Sequence, residues 1–377
     1  MRKFLFVTAL SLLMLTACSF NRSGDPENTG PEAFFSGNLQ RTGVFTSTAV
    51  KDPGGANWQF QAKEWVFTAP AVVENVVYFG SYDGNLYAAD AKTGAEIWRF
   101  PLGDAVISSP AVSNGLVFVG GINGVLHAID RTTGQERWQF ATQGSILASP
   151  AVANGQVYVG SEDGKVYAVN INNGQEAWHV EAGGPVIFET AVSDGLLVFA
   201  DAAGMLTAVK AINGEAAWQI QIGEGSVSTG PVISGGFIYI VLTDTNLVGA
   251  LYAIDLESQN LRWRYQLKTE GYASPAVWGD LVYVADLNGV LTAVEQNTGA
   301  VRWEFPTGGT IFSAPAIADG VLYFGSWDKN LYAVDAVRGK QMWLFTTGGG
   351  VSSPSVYDGV VYVGADNGVV YAIGDLQ

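Results

Sequence analysis

A tryptophan that returns about every forty residues constrains this chain more than any other feature. Trp58, Trp98, Trp138, Trp178, Trp218, Trp263, Trp303 and Trp343 are forty apart, except for one step of forty-five. Three shorter signals keep phase with them. The first is a Pro-Ala or Pro-Ser step, at Pro70, Pro110, Pro150, Pro275, Pro315 and Pro354. The second reads like "VYVG" and the third like "LYAID", and each occurs eight times. Runs of Val, Ile, Tyr and Phe between Asn-Gly, Asp-Gly and Thr-Gly steps are short strands joined by tight turns. Each repeat therefore predicts four strands, A to D from the inside outward. A fixed period near forty with four strands per unit predicts an all-β, eight-bladed β-propeller of four-stranded antiparallel blades.

The two ends of the repeat do not match, and the mismatch predicts how the ring closes. The last repeat stops at "YAIGDLQ" without its Trp strand, whereas Trp58 precedes the first Pro-Ala-Val. The expectation is that "NWQF", Asn57 to Phe60, crosses over as the outer strand of the last blade, with Trp58 beside Ala372. The propeller is then assigned to 55–377, after a signal peptide at 1–17 and a tether and lead-in at 18–54.

Between the third strand and each Trp lies the pattern A-x-D-x-x-T-G-x-x-x-W, seen at Ala88 to Trp98 and Ala128 to Trp138. Variants begin at Ala168, Ala208, Ala253, Ala293 and Ala333. The small Ala leaves room, Asp and Thr can bond the turn backbone, Gly permits the turn, and Trp packs between neighbouring blades. This pattern resembles the tryptophan-docking motif of quinoprotein-type propellers, the family named for pyrroloquinoline quinone (PQQ). The resemblance runs over nearly the whole chain after Trp58. Its dehydrogenase branch implies PQQ and Ca²⁺ at the propeller centre, with a vicinal cysteine pair in many members. That pair and any haem site are missing here. In size, repeat number and N-terminal signal the chain is more similar to the BamB-type lipoproteins, which assist β-barrel insertion and are noncatalytic. The resemblance thus implies no cofactor and no enzyme activity.

The N-terminus supplies the address. Arg2 and Lys3 precede an apolar run from Phe4 to Met14, too short for an ordinary spanning helix, and then comes "LTAC". The tetrapeptide resembles the bacterial lipobox, which implies lipidation of Cys18, the only cysteine. A polar stretch rich in Gly, Pro, Ser and Asn follows as a tether. Ser19 stands where Asp commonly retains such lipoproteins in the inner membrane. The expectation is an exported lipoprotein, at the outer membrane facing the periplasm or at the cell surface. The net charge of −16 argues against nucleic acid as a partner. The partner expected is an envelope protein, met by a monomeric propeller.

No GxSxG, HExxH, CxxCH or P-loop occurs. His127 and His179 fall on structural positions of the repeat. Where repeats agree they describe scaffold, so candidate function lies where they differ. In a propeller the D–A crossings and B–C hairpins share one face. On that face Glu189-Thr190 replaces Ser-Pro, Asp201 and Asp286 replace Ser, Gly or Ala, and the fifth repeat inserts residues around Leu242 to Gly249. Tyr82 and Trp327 occupy corresponding hairpins, and Trp65 is expected at the entry to the first A strand. Glu189, Asp201 and Asp286 are expected near the central opening, able to hold a cation or a basic partner segment. Besides a scaffold, a PQQ-dependent dehydrogenase and a glycan or small-ligand sensor are the alternatives.

Overall fold

The computed structural model describes residues 32–374. Eight antiparallel sheets follow one another around a ring. Blade 1 consists of Ala71–Val73, Val76–Gly80, Asn85–Asp90 and Glu96–Pro101, strands A to D. Blades 2 to 7 repeat that consecutive order. Blade 5 is enlarged: its B and C strands lengthen to Phe237–Thr243 and Gly249–Asp255, and a short strand, Ser226–Val227, adds beside B. Blade 8 closes the ring as expected. Its D strand is Ala56–Gln61, paired antiparallel with Val369–Gly374, and Trp58 stands opposite Ala372.

The docking motif works as its residues suggest. In blade 1, Asp90 Oδ1 accepts the Thr93 backbone N–H and hydroxyl, both at 2.8 Å. Gly94 then turns with φ +70°, and a Cβ there would lie 2.7 Å from the ring of Trp58. The glycine thus serves both the turn and the indole seated on it. Six indole N–H groups donate to a backbone carbonyl, such as Trp58 to Ala91 and Trp98 to Arg131. Trp178 bonds the Gln156 side chain instead. Trp343 has no C–D turn to dock on, because blade 8 takes its D strand from the other end of the chain. It donates to Val50, and the Tyr323 hydroxyl bonds the same residue.

Val50 ends a segment that the repeat does not mark. Strands A and B are joined by two-residue turns such as Glu74-Asn75, both with positive φ. The middle residue of each A strand then directs its N–H inward, towards the ring axis. Residues 33–45 satisfy several of these inner edges in turn. Val112 N–H bonds Ala33, Val192 bonds Leu39, Ile233 bonds Gln40, Val277 bonds Thr42 and Ile317 bonds Gly43, at 2.7–2.9 Å. The N-terminal strap therefore winds inside the channel past blades 2 to 7. Glu32 and Val50 both lie on the side of the A–B turns, where Glu32 accepts from Ser113 and Ser47 accepts from Gly359.

Candidate functional site

Arg41 projects from the strap across the channel. Its Nε donates to the Thr190 carbonyl, and its terminal nitrogens to Phe35, Ser149 and Pro150, all at 3.0–3.1 Å. Burial lowers its pKa to about 10, and the nearby Glu189 carboxylate opposes that shift. The guanidinium thus ties the strap to blades 3 and 4 at the ring centre. Nothing in the sequence pattern signals this role, since Arg41 lies outside every repeat.

The carboxylates expected at the central opening have separate settings. Glu189 is half-buried and accepts from Ser149 Oγ at 3.2 Å. It occupies a position where serines form a belt between blades: Ala69 N–H donates to Ser109 Oγ, and Ser109 N–H to Ser149 Oγ. The hydroxyl of its neighbour Thr190 is buried without a hydrogen-bond partner. Asp201 is buried and accepts the backbone N–H groups of Gly183, Ala203 and Met205. Asp286 is buried too and accepts from Val290; burial raises its pKa against those backbone bonds. Both aspartates are turned into their own hairpins, as Asp244 is in blade 5. A quinone–calcium pair would need carboxylates converging at the centre. Among the described residues no three His, Cys, Asp or Glu side chains are placed to share a metal ion.

The aromatic candidates do come together. Trp65 contacts Tyr82 at 5.9 Å between ring centroids, and both contact Phe67. Phe67 meets Trp327 at 6.2 Å, Trp327 meets Phe312 at 5.2 Å, and Phe312 stacks on Tyr272 at 6.4 Å. Trp65 lies in the crossing rather than at the start of strand A, which begins only at Ala71. The result is a continuous arc over blades 6, 7, 8 and 1, in which Trp65, Tyr272, Phe312 and Trp327 are each at least 40% exposed. Phe67, Phe312 and Tyr272 escaped the sequence reading. Each stands three residues before the Pro of its repeat, and aligning the crossings on that Pro finds them. Cys18 lies outside the described residues.

The ring, its eight Trp-docked blades and its central strap define a PQQ-like β-propeller. The chain belongs to the family described as outer membrane protein assembly factor BamB, which it matches over residues 22–100, 82–286, 225–315 and 287–375. Its fold is similar to that of BamB from Moraxella catarrhalis, at 17% identity and TM-score 0.74, over 85% of this chain and 99% of that one. It is equally similar to the computationally designed Ika8 protein, at 18% identity and TM-score 0.75, over 84% and 98% of the two chains. The quinohemoprotein alcohol dehydrogenase from Comamonas testosteroni also shares it, at 15% identity and TM-score 0.77, over 93% of this chain and 82% of that one. No curated protein matches the chain in sequence.

Proposed function

We propose that this protein is a noncatalytic scaffold of the bacterial cell envelope, lipidated at Cys18, that presents its crossing-and-hairpin face to another protein. The observation that carries this reading is the aromatic arc. Large rings left exposed side by side on a soluble face mark an interaction surface rather than a packing need. The family's description points the same way, towards assembly of outer membrane proteins. Residence at the outer membrane, facing the periplasm, fits Ser19 behind the lipidated cysteine; display at the cell surface is the variant for other envelopes.

The chain enters the strap at Glu32, on the side of the A–B turns, and the arc lies on the opposite side. That separation supports presentation of the arc away from an anchor at the N-terminus.

A photo-crosslinking residue placed at position 82 or 312, in cells, tests the reading. One envelope protein should be captured from both positions and not from position 97 on the outer strand of blade 1. Equal capture from all three, or none from any, refutes the scaffold. Separately, reduction of a dye by the protein with PQQ, Ca²⁺ and an alcohol would refute the noncatalytic part.

A further inference from the structure

We infer that the arc binds an extended, Lys- or Arg-bearing segment of a partner protein, with one cationic side chain seated between the Asp366 carboxylate and the rings of Trp327 and Phe67. This deepens the scaffold reading and rests on its choice of face.

The seat exists because the crossing into blade 8 is short. From Trp to the following Pro position the crossings run twelve residues in most repeats and thirteen in blade 5, but only eleven from Trp343 to Pro354. Hydrogen bonds locate the missing residue. Thr68 Oγ1 accepts from Gly80 N–H in blade 1, and Ser352 Oγ accepts from Gly364 N–H in blade 8. Val66 and Val351 then correspond, since each crowds the last glycine of the neighbouring B strand, Gly364 and Gly325. Blade 8 therefore lacks the residue equivalent to Phe67. Through that gap Phe67 of blade 1 reaches Trp327 of blade 7.

The floor of the gap is Gly348 to Gly350. A Cβ on Gly350 would lie 3.1 Å from Asp366 Oδ2 and 3.2 Å from Trp327 Cδ1 and Cγ. One point above the glycine is thus flanked by a carboxylate oxygen and an indole ring. Asp366 Oδ1 is committed to the Gly350 N–H at 2.9 Å, and Oδ2 is left facing the slot. A carboxylate beside an aromatic face is the chemistry that takes an ammonium or guanidinium.

The loops around the arc carry more carboxylates than cations. They hold Lys63, Lys268 and Lys329 and no arginine, whereas the described arginines lie in the strap, the outer strands or the C–D turns. Beside the arc, Glu64 and Asp104 are exposed in the crossings into blades 1 and 2, Asp328 follows Trp327, and Glu270 accepts from the Tyr272 hydroxyl at the far end. Carboxylates interspersed among apolar rings complement a segment that alternates basic and apolar side chains.

The test uses the full chain in detergent and a fluorescein-labelled nonapeptide of three Gly-Arg-Leu units, read by anisotropy. The peptide should bind, more weakly in 500 mM than in 50 mM salt. Its affinity should fall at least tenfold on Asp366→Asn and on Trp327→Ala. Neither change should unfold the ring: Asn keeps the acceptor for Gly350, and blade 4 carries Ala202 at the position of Trp327. Equal binding of a peptide with Glu for Arg, or unchanged affinity in Asp366→Asn, overturns the inference. So does maltohexaose displacing the peptide, which would make the arc a glycan platform. Crosslinks that survive Trp327→Ala and Asp366→Asn would leave the scaffold standing and sink this seat. Peptide binding of the expected pattern without any cellular crosslink would do the reverse.

Discussion

The two sides of each blade obey different rules. On the C–D side, eight tryptophans recur, most of them seated on a turn glycine and bonded to the next blade. On the crossing side, equivalent positions hold Trp65, Ala105, Ser145 and Pro185, or Tyr82, Ile122, Glu162 and Ala202. The first side binds blade to blade, so every copy meets the same requirement. The second meets solvent or a partner, and copies there are free to differ. Fidelity in this chain marks structure, and divergence marks the place where function can be written.

Matched substitutions should break that contrast if it is false. Trp138→Ala, in a buried docking seat, should cost about 3–5 kcal/mol, whereas exposed Trp327→Ala should change stability by less than about 0.5 kcal/mol. Urea unfolding of both variants compares them directly, and similar losses would erase the distinction. Arg41→Ala should rank next, at about 3 kcal/mol, because it strands the buried carbonyls of Ser149, Pro150 and Thr190 and also loses the bond to Phe35. Glu189→Lys belongs with it, as a cation placed against the buried guanidinium should lower the melting temperature; an unchanged value would separate Glu189 from the strap.

The aspartates give the subtlest comparison, through pH. Asp286 has its pKa raised by burial, so the folded state disfavours its charge, and that cost appears as pH rises through the raised value. Asp286→Asn should therefore melt higher than the parent at pH 7, with the gap closing towards pH 4. Asp90 has its pKa lowered, first by the Thr93 hydroxyl and also by backbone N–H groups. Its contribution is present above the ordinary carboxylate range and lost as pH falls through the lowered value. Asp90→Asn should melt lower than the parent at pH 7, with the deficit shrinking below pH 4. Melting curves at several pH values would show whether the two differ in sign.

The repeat made most of the fold legible, including the docking of Trp58 beside Ala372, because period and strand pattern fix local pairing and the leftover strand has one place to go. The strap was not legible. Its bonds use backbone atoms that any sequence supplies, and its one specific side chain, Arg41, occurs once. Glu189, Asp201 and Asp286 were singled out as departures from the consensus. For Asp201 and Asp286 the difference serves the hairpin, since a carboxylate caps turn N–H groups as serine does elsewhere. The arc was half legible. Tyr82, Trp65 and Trp327 stood out as aromatics, but that Phe67 would meet Trp327 depends on one missing residue in blade 8, visible only once the blades are aligned in space.

The pairing of Ala56–Gln61 with Val369–Gly374 has a kinetic consequence. Among the described residues the first strand waits for the last, across a separation that makes loop closure slow. Until the final strand has emerged, seven blades can stand only as an open arc, with Trp58 and its strand unpaired. Completion of the wheel is thus a check on the last blade: a copy clipped before Val369 keeps seven blades yet leaves Ala56–Gln61 without its partner strand, open to proteolysis.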